Sequence, residues 1–312
     1  MDKQKQKAAA RRSAGLRKAV QAGWGVLTNA YINGFLPGDP VIYQGPLKQL
    51  CVPGLNCYSC PGALGSCPIG SMQAIFDGRT RGIGAYVIGY LAIIGLFVGR
   101  FICGWFCLFG LIQELLYKIP TPKLTVPEKP DKILRYLKYL ILLVMVFLLP
   151  FFYRSQYGAG EPFFCKYICP VGTLEGGIPL VLLNSMMRGA LGWLFRWKFL
   201  LLILCASASI FIYRPFCKYI CPLGAFYGLF QKVSLIRMRV DREKCVDCGL
   251  CVRTCKMNVD PHKTPNNSEC IRCRACIKAC PMHALAMKIG PGPEPLQEPV
   301  AAQADQPLEE RR

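Results

Sequence analysis

Histidine is nearly missing from this chain: its 312 residues carry only His262 and His283, and no Cys-x-x-Cys-His occurs. Intramembrane bis-histidine haem and c-type haem therefore both lack ligands. No Gly-rich phosphate fingerprint lies between a strand and a helix, so nothing supports nucleotide binding by that route. Acidic residues are scarce, 18 against 38 Lys and Arg, for a net charge of +20. Spread evenly, such a surplus would suggest nucleic acid, but its placement says otherwise. Lys3, Lys5, Lys7, Arg11, Arg12, Arg17 and Lys18 precede the first apolar run, and Lys118, Lys123, Lys129, Lys132, Arg135 and Lys138 fall between the second and third. By the positive-inside rule these are cytoplasmic segments of a multi-pass inner (cytoplasmic) membrane protein. Contact with anionic lipid is a by-product, and no nucleic-acid partner is expected.

Charge is also missing from four runs, 19–38, 82–99, 139–153 and 199–213. Snorkelling of Lys138, Lys198 and Arg214 extends the last two to about 136–153 and 198–213. The competing reading for each is a buried core helix; aromatics such as Trp197 and Tyr213 at the ends favour spans. The expected fold class is an α-helical integral membrane protein with about four transmembrane helices and a small C-terminal α+β domain. Residues 1–18 form a basic cytoplasmic N-terminus, 19–235 a membrane domain with Cys-rich loops, 241–288 the cysteine module and 290–312 a disordered tail of Pro, Glu, Gln and Ala. Both termini are then cytoplasmic. The first run reads as an uncleaved anchor, since no small-residue cleavage site follows it. The run 176–187 is short for a span and reads as re-entrant or interfacial.

What the chain has in abundance is cysteine, nineteen in all. Eight form two consecutive runs, Cys245-x2-Cys248-x2-Cys251-x3-Cys255 and Cys270-x2-Cys273-x2-Cys276-x3-Cys280-Pro281. Three thiolates two residues apart grip three corners of a cubane cluster, and the distant fourth closes the other one. Cys245, Cys248, Cys251 and Cys280 are thus expected to hold one [4Fe–4S] cluster, and Cys270, Cys273, Cys276 and Cys255 the other. Zinc on Cys-x2-Cys pairs does not account for two complete four-cysteine runs. The module resembles bacterial-type ferredoxins over roughly 241–285, with Lys256 where that motif usually has proline.

Three further segments repeat one another around a Cys-x3-Cys: Phe101 to Gly110 with Cys103 and Cys107, Phe164 to Gly172 with Cys165 and Cys169, and Phe216 to Gly224 with Cys217 and Cys221. Cysteines four apart share one face of a helical turn, so each pair is half a cluster site. The expected topology brings Cys103, Cys107, Cys217 and Cys221 together near the ferredoxin module. It places Cys165 and Cys169 on the opposite side, with the loop that carries Cys51, Cys57, Cys60 and Cys67. Any four of those six thiols suit another cluster; disulfides on an oxidising face are the alternative. Cys205, inside an apolar helix, reads as a small buried hydrophobe. The segments 104–117 and 222–232 read as interfacial helices where Gln113, Glu114 and Gln231 either meet a quinone head or merely seal the bundle.

The Cys-Gly-Trp-x-Cys after the second run, the Cys-x3-Cys-Pro after the fourth, the basic segments and the twin cluster module resemble the NapH/NosR-type membrane polyferredoxins over roughly residues 15–285. Leu108 replaces the proline usual in the first element, and the Cys51–Cys67 loop and the third pair are additions. The resemblance implies electron delivery from a quinol or a cytoplasmic donor to other redox protein subunits, and leaves open a quinol dehydrogenase or oxidoreductase subunit. The Ser/Thr-Gly-Ala-Thr flavin attachment site of some relatives is absent, so no covalent flavin is expected. The expected cofactors are two ferredoxin clusters and one or two more in the membrane domain. Two other classes stay open: a metal-reducing or assembly factor whose soft thiolates bind Cu(I), and a redox-sensing membrane regulator.

Overall fold

A computed structural model of the protein describes residues 3–36, 42–74, 81–153, 161–184, 188–189 and 191–290. The expected tail 290–312 lies almost wholly outside the described residues. The long helices are α1 (Lys3–Thr28), α3 (Arg81–Val98), α6 (Glu128–Phe152) and α9 (Trp193–Phe211). Between them lie α2 (Pro68–Ala74), α4 (Phe101–Trp105), α5 (Leu108–Leu116), α7 (Phe163–Tyr167) and α8 (Gly172–Leu183). The helices α10 (Phe216–Ile220) and α11 (Pro222–Phe230) then lead into the ferredoxin module.

Of the long helices, α6 and α9 are long and apolar enough to cross a membrane, at 25 and 19 residues. They leave Leu140, Leu143, Phe151, Phe152, Leu200, Ile203 and Leu204 exposed. With Ile93, Leu96 and Phe97 of α3 these make an apolar outer surface that water would not tolerate. The protein is therefore membrane-associated. Helix α8 ends at Leu183 after 12 residues, too short for a core of roughly 30 Å.

The first expected span needs correction. Helix α1 begins at Lys3 and stops at Thr28, so it runs through the basic segment and covers only the first half of 19–38. Lys, Gln, Ala and Arg are strong helix formers, and nothing breaks the helix at residue 18. The polar residues in this run have specific partners: Gln21 is fully buried and its Nε2 donates to the carbonyl of Cys107 at 3.2 Å. Beyond Thr28 the chain folds back against the bundle, with Leu64 N donating to the Thr28 carbonyl at 3.0 Å.

The ferredoxin module is closed by an antiparallel pair, β1 (Ile236–Val240) and β2 (Leu285–Ile289), with Met238 opposite Met287. Between the strands its two halves repeat with a period of 25 residues. Asp247 and Arg272, Gly249 and Arg274, and Asn258 and His283 form three pairs of left-handed residues at equivalent places, with φ between 50° and 67°. Each half ends its cysteine loop in a short helix, α12 (Leu250–Thr254) or α13 (Ala275–Ala279). The second half docks on the membrane helices.

Candidate iron–sulfur centres

Cys280 stands beside the first cysteine run rather than with its own. Cys245, Cys248, Cys251 and Cys280 line one cavity of about 420 Å³, with Val246, Leu250, His262 and Met282 at its walls. Cys255, Cys270, Cys273 and Cys276 group separately: burial raises Cys276 most, and the charges of Cys273, Cys270 and Cys255 add to it. The first group faces solvent, with Cys248 exposed; the second is turned inward.

Ile271, next to Cys270, reaches the bundle. A Cβ on Gly104 would stand 2.2 Å from the Ile271 carbonyl oxygen, so only glycine permits this approach. Gly104 is the neighbour of Cys103. Trp105 Nε1 donates to the Arg272 carbonyl at 3.2 Å, and Arg272 itself is fully buried, donating to Val98 O at 2.7 Å and Ser234 Oγ at 2.6 Å. Lys256, where ferredoxins usually have proline, lays its ammonium over the rings of Tyr117 and Tyr213 at 5.2 and 5.5 Å. Its departure from the motif therefore has a docking role that no local pattern announces.

Cys103, Cys107, Cys217 and Cys221 line a second cavity of about 290 Å³, with Gly54, Leu55, Arg100, Leu223 and Gly224. The pairs are not consecutive positions on one helical face, as their spacing suggests. Cys103 lies in α4, whereas Cys107 is extended (φ −94°, ψ 112°) and caps α5; Cys217 lies in α10, whereas Cys221 caps α11. Breaking the helix between the two cysteines turns both thiols toward a common space. The capping sulfurs accept backbone N–H groups three residues on, Gly110 for Cys107 and Gly224 for Cys221. Burial pushes Cys107 up to about 12, and Cys217 and Cys103 add to it. In the ligand-free protein this thiol is protonated at neutral pH, so loading a cluster releases its proton.

Charge around this cavity is lopsided. Glu114 pairs with Arg17 at 2.6 Å and Arg214 at 2.7 Å, Glu269 with Arg100 at 2.9 Å and with Lys138, and Asp131 with Lys218 at 2.6 Å and with Arg135. Each carboxylate is bracketed by two basic side chains. Arg100 and Arg214 donate to the carbonyls of Cys217 at 3.2 Å and Cys103 at 2.7 Å, and the Nε of each is buried without a partner. Unpaired buried cations are costly, and four thiolates around a cluster supply the missing anion. A disulfide pair would not. Among the described residues no three His, Cys, Asp or Glu side chains converge tightly enough for a single metal ion. Four thiolates, one per corner, are the ligand set a [4Fe–4S] cluster takes.

All nineteen cysteines are free. Of the remaining membrane-domain thiols, Cys57, Cys67, Cys165 and Cys169 approach one another: burial pushes Cys57 up to about 12, with Cys67, Glu175 and Cys165 among the further causes, and does the same to Cys169, with Cys67 and Cys57. Cys51 faces the same group from one side, toward Cys67, while Cys60 lies by Lys48. Cys205 packs against the core from α9, as its apolar setting suggests. The polar residues considered for a quinone are all engaged. Gln113 Nε2 donates to Cys217 Sγ, Glu114 is held by two arginines, and Gln231 accepts from Arg100 N while donating to Cys270 O.

The chain matches two families, each described as a 4Fe-4S binding domain: one over residues 83–127, 139–178 and 190–242, the other over 238–259 and 264–286. Relatives include the methylamine utilization ferredoxin-type protein MauN of Methylorubrum extorquens, 28% identical over 62% of this chain and 60% of that protein. The regulatory protein NosR of Pseudomonas aeruginosa is 30% identical over 50% of this chain and 20% of its own length. This chain is a polyferredoxin similar to the NapH/NosR type. An uncharacterized protein of Methanocaldococcus jannaschii is 32% identical over 54% of the polyferredoxin and 63% of its own chain, so the curated relatives are matched over less than two thirds of their length. No solved structure matches the polyferredoxin. The three Cys-x3-Cys pairs all fall within the matched residues, and the Cys51–Cys67 loop falls outside them.

Proposed function

We propose that this polyferredoxin is a membrane-bound relay. Electrons from a cytoplasmic or quinol donor pass through the two ferredoxin clusters into a third cluster held by Cys103, Cys107, Cys217 and Cys221, and leave for a partner redox enzyme. The solvent-facing set, Cys245, Cys248, Cys251 and Cys280, exchanges electrons with the soluble side. The inward set, Cys255, Cys270, Cys273 and Cys276, hands them on. When bound, each cluster supplies one-electron chemistry; the chain holds it, dries its surroundings and fixes its neighbours.

The observation that carries this reading is the seat of Ile271 on Gly104. It sets residues adjacent to Cys270 and Cys103 in contact, so the inward ferredoxin cluster and the bundle cluster are joined by two peptide neighbours without intervening solvent. Arg100 at the cavity wall, Arg214 on the Cys103 carbonyl and the orphaned Nε atoms of both support an anionic occupant.

The test is anaerobic iron and acid-labile sulfide per chain, with an EPR-monitored titration of wild type and Cys217→Ser. The variant should lose about four iron atoms and one signal, with the ferredoxin signals intact. About eight iron atoms in the wild type, or no loss in the variant, would overturn the third centre and with it the relay.

A further inference from the structure

The structure assigns a fourth cluster site, to Cys57, Cys67, Cys165 and Cys169, as a pseudo-symmetric copy of the centre at Cys103, Cys107, Cys217 and Cys221. It rests on the relay reading and extends it along the bundle.

The correspondence is residue by residue. Gln113, six residues after Cys107, donates from Nε2 to Cys217 Sγ at 3.1 Å and accepts from Phe216 N through Oε1 at 3.2 Å. Gln73, six residues after Cys67, donates from Nε2 to Cys165 Sγ at 3.1 Å and accepts from Phe164 N through Oε1 at 3.0 Å. Both amides thus hold the first cysteine of a partner Phe-Cys segment in the same two-bonded grip. The second cysteines match as well. Gly70 N–H is aimed at Cys67 and Gly172 N–H at Cys169, as Gly110 is at Cys107 and Gly224 at Cys221.

Cys67-Pro-Ile-Gly70 is therefore a fourth copy of the repeat, alongside Cys169-Pro-Val-Gly172 and Cys221-Pro-Leu-Gly224. Its pattern lacks a cysteine four residues earlier, where Ala63 stands. Cys57 fills that corner. Its Sγ stands 3.2 Å from where a Cβ on Gly176 would lie and 3.9 Å from one on Gly172, and its N–H donates to Oε2 of half-buried Glu175 at 2.8 Å. Cys51 and Cys60 are left out of the four.

The two sites are close. Gly54 and Leu55 line the first cavity, and Cys57 belongs to the second. Three residues of chain span at most about 11 Å. Tyr227, fully buried, fixes this strap by donating to the Pro53 carbonyl at 2.9 Å. One electron leaves the reduced first centre, which returns to its oxidised state, and enters the oxidised second centre; no bond or proton moves.

Iron, sulfide and Mössbauer spectra of the anaerobic full-length protein decide the matter. The wild type should hold about 16 iron atoms, all in [4Fe–4S] form. Cys169→Ser should lose about four and one EPR signal, while the signal removed by Cys217→Ser stays. Cys51→Ser and Cys60→Ser should keep the full count. A wild type with about 12 iron atoms overturns the fourth site even if no variant folds, and leaves the three-cluster relay standing. Loss in Cys60→Ser with none in Cys57→Ser overturns the ligand assignment.

Discussion

Arg214 illustrates how much a single side chain does here. It is fully buried in a left-handed backbone conformation (φ 50°), gives one hydrogen bond to the carbonyl of Cys103 and pairs with Glu114. A guanidinium is always charged, and fixed positive charge beside a cluster favours its reduced form. Arg214→Gln should therefore lower the midpoint potential of the Cys103/Cys107/Cys217/Cys221 centre, and Arg214→Lys should restore most of it. Glu114→Gln should move the same signal the other way, because it unmasks Arg17 and Arg214. An EPR titration in which both changes shift the signal in one direction would sink the electrostatic account. Glu114 also sets an acid limit. Burial pushes its carboxyl up, but Arg214, Arg17 and the hydroxyl of Tyr213 outweigh it and hold the group at about 2. Its contribution, of the order of 3 kcal/mol, is fully present above the ordinary value of 4.5 and is lost as pH falls toward 2. Acid denaturation of the detergent-solubilised Glu114→Gln variant should accordingly be flatter between those two values.

At the level of elements, the decisive contact is between the short helix α4 and a ferredoxin loop rather than between long helices. Gly104 sits between two breaks in the helical path, and the Ile271 carbonyl fills the space a side chain would need. Gly104→Ala should force the ferredoxin module away, destabilising the interface by about 1–3 kcal/mol. Both ferredoxin signals should persist while electron transfer from them to the bundle slows, as rapid-mixing reduction would show. Unchanged transfer would mean the contact is not the route. Lys256→Ala tests the same interface from its edge, and a smaller loss of about 0.5–2 kcal/mol in thermal stability is expected from two cation–π contacts. The helix breaks themselves have a common cause. Cys107 and Cys221 are extended, each of the four second cysteines is followed by helical residues, and Pro68, Pro170 and Pro222 come next after three of them. Proline there needs no N–H partner, so the thiol can turn inward without breaking a ladder. Irregular π turns recur in the same places, at 142–148 against α2, at 172–177 after Cys169 and at 216–220 around Cys217.

For the whole molecule, one end carries the ferredoxin module, the start of α6 and the Lys118–Lys132 segment. The basic residues of that segment point to a cytoplasmic end. Reporter fusions after Lys129 and after Gly290 should therefore report the same side; opposite sides would reject the four-crossing topology. One continuous core then holds thiols of both proposed sites, Cys67, Cys103, Cys107, Cys169, Cys217 and Cys221. That differs from sites at opposite membrane faces, which the alternation of spans suggests. The loop after α1 folds back into the bundle and brings Cys57 and Cys67 to the level of residues 142–148 of α6, against which α2 packs.

The sequence by itself determined the ferredoxin module, the apolar helices and the three Cys-x3-Cys repeats. These depend on spacings of a few residues, and a cluster loop or an amphipathic run is complete within its own segment. It did not determine where α1 ends, because Arg17 and Gln21 answer to Glu114 and Cys107, far along the chain. Nor did it reveal why Lys256 replaces a proline, since its partners Tyr117 and Tyr213 belong to other elements. The fourth repeat was legible as Cys67-Pro-Ile-Gly70, but its missing first cysteine hid it. The choice proposed among six thiols rests on tertiary contacts, because the grip of Gln73 on Cys165 joins positions 92 residues apart. Local spacing sets how a chain can hold a cluster; long-range packing decides which thiols share one.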